Sequence, residues 1–182
     1  HRSRMRQQRQ KQEVPTIAVV GYTNAGKSTL LNSLTQAEIY AEDQLFATLD
    51  PTTRRLSVPC QGEMKTILLT DTVGFIKELP PALIDAFRAT LEEVSEADAM
   101  LHVVDLSHPA WETQIESVTN ILEAMPIMPP ESLLVFNKID QVDSETLSHA
   151  QETFPEAVYI AAEKRLGLET LREKMGAMIV NT

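Results

Sequence analysis

The chain has 182 residues, 43% of them hydrophobic and 23% charged, with a formal net charge of −10. That size and apolar content suit one α/β domain with a full core, and no apolar run is long enough to cross a membrane. A single cysteine, Cys60, excludes an internal disulfide, and no signal-peptide pattern is present, so a cytoplasmic protein is expected; it is also expected to be a monomer.

Charge is unevenly spread. Residues 1–13 hold Arg2, Arg4, Arg6, Arg9 and Lys11 against Glu13, leaving 11 of the 16 basic and 25 of the 26 acidic residues in the remainder, a net of −14 there. The leader reads either as a basic linker or tail, or as the end of a helix arriving from an upstream domain, with 14–182 as the globular unit. A surface this acidic repels phosphate backbones, so nonspecific nucleic-acid binding by that unit is not expected.

The first element is a buried strand, Thr16-Ile17-Ala18-Val19-Val20, followed by Gly21-Tyr22-Thr23-Asn24-Ala25-Gly26-Lys27-Ser28-Thr29 and by Leu30, Leu31 and Leu34 at helical spacing. Strand, glycine loop and helix in this order form a phosphate-binding loop. Gly21 and Gly26 permit a tight turn whose N–H groups face phosphate oxygens, and the helix N-terminus adds partial positive charge. Lys27 is placed to reach the β- and γ-phosphates and Ser28 to ligate Mg²⁺. A polar stretch with several threonines follows, in which Thr48, Thr52 and Thr53 are equal candidates on residues alone.

Leu56–Cys60 and Thr66–Thr70 read as an antiparallel pair across Gln61-Gly62. The second strand runs into Asp71-Thr72-Val73-Gly74, a D-x-x-G element in which Asp71 serves the Mg²⁺ shell through water and the Gly74 N–H meets the γ-phosphate. Pro80-Pro81 then opens a helix with Leu83, Phe87, Leu91 and Val94 on one face. The strand Met100–Val104 carries His102, which reads as a core histidine. Asp105, Ser107 and His108 read as a turn or helix start with Ser107 as its cap.

A helix around Trp111–Glu123, a loop at Met125–Pro130 and a buried strand Leu133–Phe136 lead to Asn137-Lys138-Ile139-Asp140. This N-K-x-D element selects guanine. The Asp140 carboxylate, an acceptor only, takes the ring N–H and exocyclic amine of guanine, whereas adenine opposes it with a lone pair. Lys138 lays its stem over the base, and Asn137 ties this loop to the phosphate loop. A helix from Ser144, a strand Val158–Ile160 and a final helix from Leu168 complete a P-loop NTPase fold, with a mostly parallel, doubly wound sheet of about six strands and helices on both faces.

These motifs resemble the translation-factor-related GTPases, and within them the HflX family: G-Y-T-N-A-G-K-S-T-L at 21–30, D-Q-L-F-A-T-L-D-P-T-T-R at 43–54, D-T-V-G-F-I at 71–76 and N-K-I-D at 137–140. The resemblance implies that Asp43–Arg54 is the first switch. There Thr48 completes Mg²⁺ coordination, and Phe46, Ala47, Thr48, Leu49 and Asp50 close over the nucleotide. It further implies a GTP hydrolase whose partner is the large ribosomal subunit, acting in ribosome splitting or rescue under stress. The alternative is a regulatory or assembly switch with a protein or membrane partner.

Three further positions bear on the chemistry, of which only the last loop departs from the HflX pattern. Phe75 stands where many GTPases carry a water-orienting glutamine, which implies slow intrinsic hydrolysis; it reads equally as a side chain packed under the next helix. In the last loop Ala161 and Glu163 replace the Ser and Lys of the family's S-A-K-x-G, leaving the N–H groups of Ala162 and Glu163 to meet the guanine carbonyl. Asn24 reads either as a determinant of K⁺ use, by resemblance to GTPases with Asn there, or as a residue that holds the loop by side-chain hydrogen bonds.

Overall fold

The computed structural model describes residues 14–22, 24–42, 53–71, 94–123 and 131–180, with 36–42 as helical backbone only. The basic leader 1–13, Thr23, the switch residues Phe46 to Asp50 with Thr52, the stretch Thr72 to Phe75, the helix expected from Pro80-Pro81 as far as residue 93 and the loop Met125–Pro130 lie outside the described residues; 94–96 are helical, and Val94 is buried with Val118 and Leu122 as its place on the apolar face implied.

Strands β1 (Thr16–Val20), β2 (Thr53–Cys60), β3 (Glu63–Asp71), β4 (Ala99–Asp105), β5 (Glu131–Asn137) and β6 (Val158–Tyr159) are accompanied by helices α1 (Lys27–Glu42), α2 (Trp111–Glu123), α3 (Ser144–Thr153) and α4 (Leu168–Ile179). They form one sheet in the order β2-β3-β1-β4-β5-β6, in which only the β2–β3 pair is antiparallel. This is the expected doubly wound α/β architecture.

Strand alternation divides the core. Ile17 and Val19 of β1 lie with Leu101, Val103 and Val135 against Leu30, Leu31 and Leu34 of α1 and Leu171, Met175 and Met178 of α4. Ala18 and Val20 face the other way, toward Val118 and Leu122 of α2. Farther along that second face, Phe136 packs against Trp111, with ring centroids 5.4 Å apart and planes at 89°, and against Ala150 of α3. A fully buried parallel strand needs apolar residues on both sides, which is why β1 reads as an unbroken apolar run.

The hairpin is longer than the apolar pattern suggests. Gln61 and Gly62 adopt φ of 53° and 84°, the left-handed pair that joins twisted strands through two residues, so pairing begins at Cys60↔Glu63 and runs on to Thr53↔Thr70. The half-buried Arg54 and Arg55 take part through their main chain, which hydropathy does not see.

Helix α4 lies against this edge strand. A Cβ on Gly176 would overlap the Pro59 carbonyl oxygen, so glycine allows the helix to reach the strand backbone. Beside it, the Arg172 guanidinium donates to Ser57 O at 3.0 Å and to Leu34 O of α1 at 2.5 Å, joining three elements. Pro59, which has no N–H, is tolerated because β2 is at the edge.

His102 is a core residue as expected, only 7% exposed and in register with Val20 and Leu134. Burial pushes its pKa from 6.5 down to about 4. Between those values the unfolded chain binds a proton that the folded chain excludes, so stability falls as pH is lowered through this window and levels off beneath it. The shift corresponds to about 3 kcal/mol. The difference in melting temperature between wild type and His102→Leu, followed by thermal unfolding from pH 7 to 4.5, should therefore move in favour of the variant as pH falls.

Candidate nucleotide site

The carboxyl ends of β1, β3, β4 and β5 open on one side of the sheet, because these strands are parallel and in close register: Val19 pairs with Asp71, and Asp105 pairs with Asn137. The residues singled out in the sequence meet there. After β1, Ala25 N donates to Tyr22 O at 3.0 Å to close the turn, and Gly21 sits against the Val103 carbonyl. Leu30 N donates to Gly26 O at 2.9 Å, so Gly26 begins α1, and the N–H groups of Lys27, Ser28 and Thr29 fall in the first turn, where a helix has no acceptor of its own. That is an anion-binding helix end.

Lys27 is 7% exposed, and its ammonium lies 3.1 Å from Asp71 Oδ1. Ser28 and Thr29 are exposed beside it. Among the described residues no group of three or more His, Cys, Asp and Glu side chains is placed to hold a metal ion. Mg²⁺ at nucleotide sites needs only one or two protein oxygens besides phosphate and water, so an exposed hydroxyl at Ser28 and a strand-end carboxylate at Asp71 are a fitting donor set.

Asn137 fixes the geometry. It is 2% exposed; its Nδ2 donates to Ala25 O at 3.0 Å, and its Oδ1 accepts from Lys138 N at 2.9 Å and Ala162 N at 3.0 Å. One side chain thus binds the loop after β1, its own loop, and the loop after β6. Gly26 is required next to it: its φ is +89°, and a Cβ would overlap Asn137 Nδ2.

Lys138 has a left-handed backbone, φ 66°, and its ammonium donates to Asn24 O at 3.0 Å and to Asp105 Oδ2 at 3.2 Å. Sequence reading missed Asp105. Its other oxygen accepts from Ser107 N at 2.9 Å and Ser107 Oγ at 2.6 Å, so the segment is indeed a turn, yet Ser107 does not cap α2, which starts only at Trp111. His108 Nδ1 instead accepts from Ala110 N at 3.0 Å just before that helix. The signal for Asp105 is its pairing with Asn137 across β4 and β5, which no local pattern contains.

Ile139 packs inward, with its N–H on Ile160 O at 3.2 Å, and Asp140 is exposed in the single 3₁₀ turn Ile139–Gln141. In the last loop, Ala161 and Ala162 are buried and Glu163 is exposed. Ala161 and Leu166 exchange main-chain hydrogen bonds of 3.0–3.1 Å, closing the loop. Arg165 holds a left-handed φ of 59° where the family's S-A-K-x-G pattern has glycine. The N–H of Ala162 is engaged by Asn137; that of Glu163 has no acceptor among the described residues.

A doubly wound sheet, a glycine loop opening α1, and a guanine-type tetrad bonded to that loop define a P-loop GTPase. The family model described as "50S ribosome-binding GTPase" matches residues 16–138. The GTPase HflX of Magnetococcus marinus is 47% identical over 176 residues, covering 96% of this chain and 40% of that protein; the GTPase HflX of Escherichia coli K12 is 45% identical over 172 residues, covering 93% and 40%. A solved GTP-binding protein from Sulfolobus solfataricus in complex with GDP superposes with a TM-score of 0.70 at 30% identity, covering 97% of this chain and 56% of that one. The chain belongs to this family of GTP hydrolases and groups within it with the HflX GTPases, as the motifs implied. It spans about two fifths of the length of those curated relatives.

Removing the Asn137 side chain strands Ala25 O and Ala162 N at a buried position. Asn137→Ala should cost about 2–4 kcal/mol in urea unfolding of the nucleotide-free protein.

Proposed function

We propose that residues 14–182 form the guanine-nucleotide-binding and hydrolysing domain of a ribosome-associated GTPase, with 1–13 a basic linker or the end of an upstream helix. The observation that carries the nucleotide reading is the Asn137 side chain, which bonds the loop after β1 to the loop after β6 and so holds a phosphate end and a base end at fixed separation. In this reading residues 21–29 wrap the phosphates, with Lys27 as their main cation. The exposed Asp140 takes the guanine ring N–H and amine, the Lys138 stem covers the base, and Ala161, Ala162 and Glu163 line its carbonyl edge.

Ser28 and Asp71 would hold Mg²⁺, which supplies charge neutralisation at the phosphates, and Thr48 would join them with GTP bound. Phe46 to Asp50 would close over the nucleotide and Asp71 to Gly74 would sense its γ-phosphate. With Phe75 in place of a hydrogen-bonding side chain, intrinsic hydrolysis is slow. Asn24 is exposed and its carbonyl is held by Lys138; K⁺ use at this position is proposed from the likeness to GTPases with Asn there. We expect a cytoplasmic, monomeric protein; among the described residues no helix is long and apolar enough to cross a membrane.

The large ribosomal subunit as partner is supported by the family description. The acidic surface argues that rRNA contact lies largely outside residues 14–182. This chain should therefore sediment with large subunits more weakly than a full-length relative at matched salt; equal binding would place the contact on this domain.

Guanine selection is tested at Asp140. Asp140→Asn should lower GTP affinity by roughly ten- to a hundredfold and raise preference for XTP, because the amide donates to the carbonyl xanthine carries in place of the amine. Competition titrations with GTP, ATP and XTP measure this, and equal GTP and ATP affinity of the wild type would refute the reading.

A further inference from the structure

The peptide unit between Ala162 and Glu163 is gripped at its oxygen. Ser33, within α1, donates from Oγ to Ala162 O at 3.0 Å, and Arg165 N donates to the same oxygen at 3.1 Å. The peptide is trans and planar, so its N–H points opposite to its carbonyl. Fixing the oxygen toward α1 therefore fixes the Glu163 N–H on the side away from α1. Among the described residues that N–H is the loop's open donor, since Ala162 N is spent on Asn137 Oδ1 and the N–H groups of Ala161, Lys164, Arg165 and Leu166 on main-chain carbonyls. A hydrogen bond accepted by the carbonyl also polarises the amide and strengthens its N–H as a donor.

We propose that Ser33 is a positioning residue for base recognition: its hydroxyl aims the Glu163 N–H at the C6 carbonyl oxygen of the guanine and thereby sets how long guanine nucleotides stay bound. The inference rests on the nucleotide reading above. It supplies what the loop lacks in its own sequence, because Ala161 has no hydroxyl where the family pattern has Ser, and a hydroxyl arrives here from α1 instead. Since α1 also carries Lys27 and Ser28 at its start, the phosphate end and the carbonyl edge of the base become parts of one rigid body.

The experiment compares release and affinity of GDP with those of 2-aminopurine riboside 5′-diphosphate, a purine diphosphate without the C6 oxygen, for wild type, Ser33→Ala and Ser33→Thr. Ser33→Ala should release GDP about five- to tenfold faster, the equivalent of one well-aimed hydrogen bond. It should leave the 2-aminopurine nucleotide unchanged, and Ser33→Thr, which keeps the hydroxyl, should behave as wild type. Unaltered GDP release by Ser33→Ala overturns the proposal alone, as does an equal loss for both nucleotides, which would assign the hydroxyl to general loop stability. Wild-type protein that binds both nucleotides equally overturns it together with the guanine reading on which it rests.

Discussion

The site depends on one buried carboxamide. Asn137 Nδ2 and Oδ1 are both used, on partners as far as 112 residues away in the chain, at 2% exposure. In such surroundings a satisfied amide is a strong tether and an unsatisfied one is costly, so the three loops it touches are positioned together or not at all. Gly26 follows from this requirement: a loop close enough to bond the amide leaves no room for a side chain beside it. The separation between phosphate and base ends is thus a property of the sheet, because Asn137 terminates β5 and Ala25 lies five residues beyond β1.

Electrostatics follow the same geometry. The chain carries −10 overall, yet the cations at the site are placed one by one: Lys27 against Asp71, Lys138 against Asp105. Each carboxylate stands at the end of a strand and holds its lysine toward the loop after β1, where the start of α1 adds partial positive charge. An acidic exterior repels long phosphate backbones, while Lys27 and the start of α1 offer a compact polyphosphate a point of attachment.

Arg172 gives the far side of the domain a comparable joint. By bonding Leu34 O on α1 and Ser57 O on β2, it fixes the spacing of the two elements that flank residues 43–52. Close contact at Gly176 and Pro59 reinforces this, and covers the edge strand with a helix, which limits pairing with other chains.

Local chemistry was enough to determine the class of the protein. The apolar run 16–20, the glycine loop, D-x-x-G and N-K-x-D each occupy a few consecutive residues, and their order along the chain implied the strand-end placement that β1, β3 and β5 display. The turn at Gln61-Gly62 and the core role of His102 were legible for the same reason, since turn chemistry and apolar periodicity act over neighbours. What the tertiary structure alone decided is which distant groups meet. Asp105 reaches Lys138 because β4 lies beside β5, Ser33 reaches Ala162 because α1 packs over the last loop, and Arg172 spans elements 115 and 138 residues away. Such contacts leave no period or motif behind, because a hydrogen bond across the fold constrains two isolated positions rather than a stretch of chain.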